Sequence, residues 1–235
     1  MGMIAKRMFD PDGVVLALDL DYTLAHYRDG MKGLFEVLRK LNISDQDART
    51  ALSFAERKNF SFGELYRILD VIAQLKIEES LFMERMQAWF RENYGLYDDA
   101  RAFLLEYIGR VPIVIVTAGD YKFQREKITH LGFVPDEMIV VSMGDPKLGA
   151  LKDVFQCYQK TVIFVDDNPN EFGHTSFDAW FGGVGYSVRM RRCDSPHENT
   201  EKDQSNLMIS SFGQLRNLVP IEKEIAWKVL YQKAW

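Results

Sequence analysis

The sequence predicts an α/β protein built on a doubly wound, open parallel sheet and carrying an inserted α-helical cap domain. Three observations predict it. Short apolar runs rich in Val and Ile recur at 14–18, 111–116, 138–142 and 161–165, as strands buried on both faces require. Helical periodicity separates these runs, the alternation that produces crossover connections and covers both faces of a sheet. Between 30 and 95 the pattern changes to helical periodicity with almost no strand-like sequence.

The expected division is therefore a Rossmann-like core formed by 1–29 and 96–235, interrupted by a helical module over 30–95. Within the module, Ser44 with Asp47 and Ser61 with Glu64 have the spacing of helix-start capping boxes. Leu34, Val37, Leu38 and Leu41 follow one helix face, as do Leu65, Ile68, Leu69 and Ile72. Leu81, Phe82, Met86, Trp89 and Phe90 form a third stripe, read as packing within a helical bundle rather than as a cofactor box.

Beyond the module, Asp120 is positioned to cap a helix over 121–131 that Gly132 stops. A further helix is expected over 148–158 and a further strand over 185–191. Arg189, Arg191 and Arg192 read as a solvated strand or loop face, 195–205 as a flexible polar loop, and 221–235 as an amphipathic helix docking on its own core.

The chain has 235 residues, of which 47% are hydrophobic and 27% charged, enough apolar surface for a core domain and a smaller inserted one. A net charge of -5 argues against nucleic acid and anionic membranes as partners. No stretch reaches the roughly 20 apolar residues that span a bilayer. Cys157 and Cys193 lack the number and spacing of a disulfide scaffold or a zinc site and are expected to be free thiols. With no signal-peptide pattern at the N-terminus, a cytoplasmic location is expected.

The chemistry sits where the apolar runs end. They lead into Asp19-Leu20-Asp21, Thr117-Ala118-Gly119, the segment 142–147, and Asp166-Asp167-Asn168. Ligands of open parallel sheets bind outside the carboxyl ends of the strands, so the four clusters converge on one place. Of two neighbouring carboxylates such as Asp19 and Asp21, one can attack phosphorus or bind a metal while the other acts as acid or base; alternatively both merely end a strand and cap a turn. The pair Asp166 and Asp167 suits a hard, oxygen-liganded cation such as Mg2+. Thr117 offers a hydroxyl, Ala118 and Gly119 offer backbone N–H groups to an anion, and Lys147 offers a point charge.

In order and placement these clusters resemble the four motifs of the haloacid dehalogenase superfamily: Asp-x-Asp-x-Thr at 19–23, a strand-end Ser or Thr, a Lys, and a terminal acidic pair. The resemblance covers 14–168 and leaves the insertion and the tail unspecified. It implies Asp19 as nucleophile, Asp21 as general acid and base, Thr23 as support for the turn, Thr117 as a phosphate-binding hydroxyl and Lys147 as the lysine that orients nucleophile and phosphate. Lys152, inside the expected helix, is the competing lysine. The resemblance also implies Mg2+ held by Asp19, by the backbone carbonyl of Asp21, and by Asp167 or Asp166. Of these last two, Asp166 is the one expected to pair with Lys147 or hold metal-bound water.

Dehalogenases belong to the same superfamily, and Asp21 is what separates the two reactions. A halide leaves without a proton, whereas an alkoxide leaving a phosphate ester benefits from a positioned acid. A helical insertion between the first two motifs resembles the family's mobile cap, which closes over small substrates. The expectation is a Mg2+-dependent phosphatase acting on a small phosphorylated metabolite through an aspartyl phosphate. The alternatives are a phosphotransferase or phosphomutase using the same site, and a non-catalytic regulatory protein with the same fold.

Overall fold

The computed structural model describes residues 9–172, 185–201 and 204–221. The helix expected over 221–235 lies outside the described residues beyond Ile221. In chain order the strands are β1 (Val14–Leu18), β2 (Ala25–Tyr27), β3 (Tyr94–Leu96), β4 (Ile113–Ala118), β5 (Glu137–Val141), β6 (Thr161–Asp166), β7 (Gly185–Met190) and β8 (Leu207–Ile209). The helices are α1 (Gly30–Lys40), α2 (Asp45–Glu56), α3 (Phe62–Ala73), α4 (Glu79–Asn93), α5 (Asp98–Tyr107), α6 (Tyr121–Leu131), α7 (Leu148–Tyr158) and α8 (Phe212–Arg216).

Every residue of β1 is buried, which is why its sequence runs apolar without alternation. Its two faces nevertheless feed different cores. Val15 and Ala17 join Val114, Val116, Val162 and Phe164 beneath α7, whereas Leu16 and Leu18 join Ile113, Ile115, Ile163 and Val165 on the side of α5 and the insertion. Six parallel strands follow the order β5-β4-β1-β6-β7-β8. The chain thus winds outward from β1 through β4 and β5, then returns to β6 on the other side. That reversal leaves a crevice at the carboxyl ends of β1, β4 and β6.

The strand expected over 111–116 begins two residues later. Pro112 has no N–H for a ladder and serves only through its carbonyl, which accepts from the Leu16 amide at 2.9 Å. Strands β2, β3 and β8 were not expected, because three residues carry too little periodicity to register as strands.

Between Gly30 and Asn93 the chain forms α1 to α4. Ser44 and Ser61 accept from the amides of Asp47 and Glu64 at 3.1 and 3.2 Å, caps worth about 1 kcal/mol each. Phe82, Met86, Trp89 and Phe90 are buried along α4, while Leu81, expected in the same stripe, is 41% exposed. The insertion is entered and left through β2 and β3, paired antiparallel with Ala25 opposite Leu96 and Tyr27 opposite Tyr94. Its core is continuous with one face of the sheet: Phe62 and Phe90 meet Phe123 of α6 with ring centroids 4.9 and 5.8 Å apart.

The basic run is not a solvated face. Arg189 is buried and donates to the carbonyls of Thr200 and His197 at 2.9 and 2.7 Å, and buried Arg192 donates to Thr23 O at 3.2 Å and Asp99 Oδ2 at 3.0 Å. Only Arg191 is exposed. Arg189 lies inside β7, where Ser187 to Met190 are all buried, whereas Arg191 and Arg192 follow the end of the strand. Both cysteines are free and exposed. No helix among the described residues is long and apolar enough to cross a membrane.

Candidate active site

Asp19 directly follows β1, and its amide still donates to Val165 O at 2.9 Å, so the sheet fixes the backbone that carries this carboxylate. The chain then reverses. The amides of Leu24 and Ala25 both donate to Leu20 O at 3.0 and 2.9 Å, and Tyr22 adopts φ 58, a left-handed conformation that costs a non-glycine residue about 1 kcal/mol. Asp19 and Asp21 line the same cavity.

Lys147 stands immediately before α7 with its ammonium buried against Asp19 Oδ1 at 2.5 Å and Asp166 Oδ2 at 2.7 Å. Its own amide donates to Glu171 Oε2 at 3.0 Å, which anchors the turn that presents it. Lys152 is only half-buried, one turn further along α7, and is not part of the cavity wall. Asp166 spends its second oxygen on the Asn168 amide at 2.8 Å. Asp167 accepts at Oδ2 from the Ser195 hydroxyl at 2.5 Å, and that hydroxyl accepts in turn from the His197 amide at 2.9 Å.

Asp19, Asp166 and Asp167 are all buried, with ligand oxygens within 4.8 Å of one another. The three carboxyl groups share one buried ammonium, Lys147, which touches Asp19 and Asp166. Burial pushes the Asp19 carboxyl up to about 7, with the Lys147 charge opposing and Asp166 adding to the rise. Asp167 is pushed up to about 8 by burial, then by Asp166 and Asp19. Burial alone would lower the Lys147 ammonium, but Asp166 and Asp19 hold it well above its ordinary value. A buried cluster of three carboxyl groups sharing one ammonium fits a hard divalent cation, which would favour their charged forms. Asp167 retains an oxygen for such an ion, whereas both oxygens of Asp166 are already engaged.

Asp21 is gripped at both oxygens. The Tyr94 hydroxyl of β3 donates to Oδ1 at 2.8 Å, and Lys127 of α6 donates to Oδ2 at 2.6 Å. Burial, with the Asp21 charge adding, pushes the Tyr94 phenol well above its ordinary value, so it remains a donor. Neither Lys127 nor Tyr94 was expected from the sequence, and neither was Ser195. A lysine within an amphipathic helix and a serine in a polar stretch carry no local signal; only the fold supplies their partners.

Thr117, at the end of β4, is buried and lines the cavity beside Ala118 and Gly119. The expectation that the Gly119 amide meets an anion is corrected: that N–H donates to Val141 O at 2.9 Å and is consumed by the sheet. Glycine is required there for a different reason. Its φ is +133°, and a Cβ would lie 2.8 Å from Gln124 Nε2, which is held by Ala118 O at 2.8 Å. The Thr23 hydroxyl is buried without a hydrogen-bond partner among the described residues, and its carbonyl accepts from Arg192 at 3.2 Å.

These groups form the floor of a cavity of about 710 Å³. Leu34, Leu52, Phe60 and Trp89 of the insertion roof it.

No protein-family model and no curated protein matches the sequence. Solved structures do. A protein from Burkholderia xenovorans LB400 described as a haloacid dehalogenase-like hydrolase superposes with a TM-score of 0.65 at 20% identity, over 86% of this chain and 94% of that one. A magnesium-bound HAD-hydrolase from Bacillus subtilis gives 0.55 at 14% identity, over 92% and 100%. A predicted phosphoglycolate phosphatase from Haemophilus somnus 129PT gives 0.51 at 15% identity, over 86% and 95%. Structures described as a dehalogenase and as a β-phosphoglucomutase share the architecture, so the fold does not choose the reaction.

Proposed function

We propose that this chain, whose fold is that of the haloacid dehalogenase-like hydrolases, is a Mg2+-dependent phosphatase that hydrolyses a small phosphorylated metabolite through an aspartyl phosphate on Asp19. The observation that carries the reading is the pairing of a lysine-held carboxylate, Asp19, with a second carboxylate, Asp21, on one cavity wall.

Asp19 is the nucleophile. Lys147 holds its Oδ1 at 2.5 Å, which fixes the side chain and leaves Oδ2 to attack phosphorus while the P–O bond to the leaving group breaks. Thr117 supplies a hydroxyl to the equatorial phosphoryl oxygens, and the Lys147 ammonium offsets their charge. Asp21 gives a proton to the leaving oxygen, then takes one from the water that attacks the aspartyl phosphate. As found, Asp21 accepts at both oxygens, the form suited to the water step. Giving a proton to the leaving oxygen requires exchange of one of those two bonds.

Asp19 and Asp167, with the backbone carbonyl of Asp21, would hold Mg2+, while Asp166 keeps Lys147 in place. When bound, the ion neutralises charge on the phosphoryl group and on Asp19. The cavity, roofed by side chains of the insertion, supports a small substrate.

The test is turnover of 4-nitrophenyl phosphate with and without Mg2+ by wild type and Asp19→Asn, with acid-quench trapping of radiolabelled phosphate on the protein. Mg2+-dependent turnover and an acid-stable, hydroxylamine-labile label, both abolished in Asp19→Asn, are expected. Undiminished turnover by Asp19→Asn would overturn the reading.

A further inference from the structure

We infer that the group carrying the phosphate is apolar, an alkyl or aryl alcohol without a second anionic group. The inference rests on the phosphatase reading above and adds to it the chemistry of the leaving group. It comes from the wall opposite the carboxylates. Leu34, Leu52, Trp89 and Phe123 line the cavity and are themselves almost fully buried, and Phe60 completes the apolar surface. Trp89 is stacked on Tyr27 with ring centroids 5.1 Å apart and planes 8° from parallel, so this wall presents a fixed flat face.

Charge on that wall points the same way. Among the described residues, the lysines lining the cavity are Lys127 and Lys147, and carboxylates already occupy both at 2.5 to 2.7 Å. His197, the other basic side chain of the lining, is held below its ordinary value by burial and the Arg189 charge. The insertion adds Glu56, an acid. A carboxylate on the substrate would therefore meet Glu56 without an uncommitted lysine to receive it. On the insertion side a polyol would set hydroxyls against Leu34, Leu52 and Phe60, whose side chains offer no hydrogen bond. The phosphoglycolate named for one structural relative is the kind of substrate this wall disfavours.

An alkyl series isolates the wall from the chemistry, because the leaving-group pKa hardly changes along it. With Mg2+ present, kcat/KM for ethyl, butyl and hexyl phosphate should rise by about fourfold per methylene, the transfer value converted to a rate ratio. 2-Phenylethyl phosphate should exceed phosphoglycolate and ribose 5-phosphate by about 100-fold. Glu56→Lys, at an exposed position, and Leu52→Arg, within the wall, should each raise the phosphoglycolate to hexyl phosphate ratio about tenfold.

A flat alkyl series, or a preference for phosphoglycolate or the sugar phosphate while 4-nitrophenyl phosphate is turned over, would overturn the inference and leave the phosphatase reading standing. Unchanged ratios in Glu56→Lys would overturn it as well, whether or not Leu52→Arg folds. No turnover of any of these esters, 4-nitrophenyl phosphate included, would remove the phosphatase reading and this inference with it.

Discussion

Lys127 donates to Asp21 Oδ2 at 2.6 Å from inside a box of rings, with its ammonium 4.9 Å from the centroid of Phe123, 5.4 Å from Tyr94 and 6.0 Å from Tyr27. The aromatic faces compensate part of the desolvation of the ammonium, and Asp21 supplies the counter-charge. With Tyr94 on the other oxygen, both torsions of the Asp21 side chain are set by groups from two different elements.

Lys127→Met keeps the stem and removes the charge, so Asp21 should lose its orientation without losing its chemistry. Its kcat on 4-nitrophenyl phosphate should fall by about 10- to 100-fold, with KM within about threefold of wild type. A rise in KM at unchanged kcat would show that Lys127 meets the substrate rather than Asp21.

Asp21→Asn removes the proton donor and base while leaving the backbone carbonyl in place. General acid and base help is worth about 100-fold to 10,000-fold, so turnover should become slow with Mg2+ affinity retained. The loss should be larger for ethyl phosphate, whose alkoxide needs a proton, than for 4-nitrophenyl phosphate, whose anion does not. Equal losses on both esters, with calorimetry reporting intact Mg2+ binding, would rule Asp21 out as the acid.

The buried acidic cluster predicts the pH response of the metal-free protein. Asp19 and Asp167 sit near 7 and 8 in the folded chain, against an unfolded aspartate near 3.9, so between these values the folded state binds more protons than the unfolded state. Stability is therefore highest at the acid end of that window, falls as pH rises from about 4 through about 8, and levels off above. Mg2+ favours the charged carboxylates and should flatten the fall, with about 2.7 kcal/mol of stabilisation at a hundredfold excess over its Kd. Denaturant titrations at pH 5 and 8.5, each with Mg2+ or a chelator, measure this. A metal-free protein more stable at pH 8.5 would contradict it.

Ser195→Ala removes the hydroxyl that donates to Asp167 Oδ2. Losing a group that orients a metal-binding carboxylate typically costs 10- to 100-fold in affinity, so the Mg2+ dependence of kcat should shift upward by about tenfold, with saturated kcat largely preserved. An unchanged Mg2+ midpoint would separate Ser195 from the metal site.

The part of the site that was legible in sequence is the part that is local. Asp19, Thr117 and Asp166 each follow a Val- and Ile-rich run, and a buried parallel strand writes itself as such a run wherever it occurs. Lys147 was legible through its position ahead of a helix. What escaped is contact across long separations: Tyr94 lies 73 residues from Asp21, and Lys127 lies 106. Arg189 and Arg192 were misread because adjacent charges look solvated until the sheet that covers them is known. The Gly119 amide was misassigned because a glycine after a strand suggests an open amide, and only the neighbouring β5 shows it to be occupied.

The two-stranded ribbon of β2 and β3 has a consequence for how such a chain is inherited. Arg28 and Asn93 are joined by an amide-to-carbonyl bond of 2.9 Å, so 64 intervening residues leave the sheet-bearing part and return to it at a single point. A two-residue hairpin turn would close that gap. One recombination event at that seam could therefore replace the roof of the cavity and leave the carboxylates untouched. The graft would have to keep an aromatic face where Phe62 and Phe90 now lie on Phe123. Roof and chemistry would then be separable within one gene, constrained to agree where Phe60, Phe62 and Phe90 meet Phe123, where Phe90 meets His130, and where Asn59 accepts from the Met143 amide.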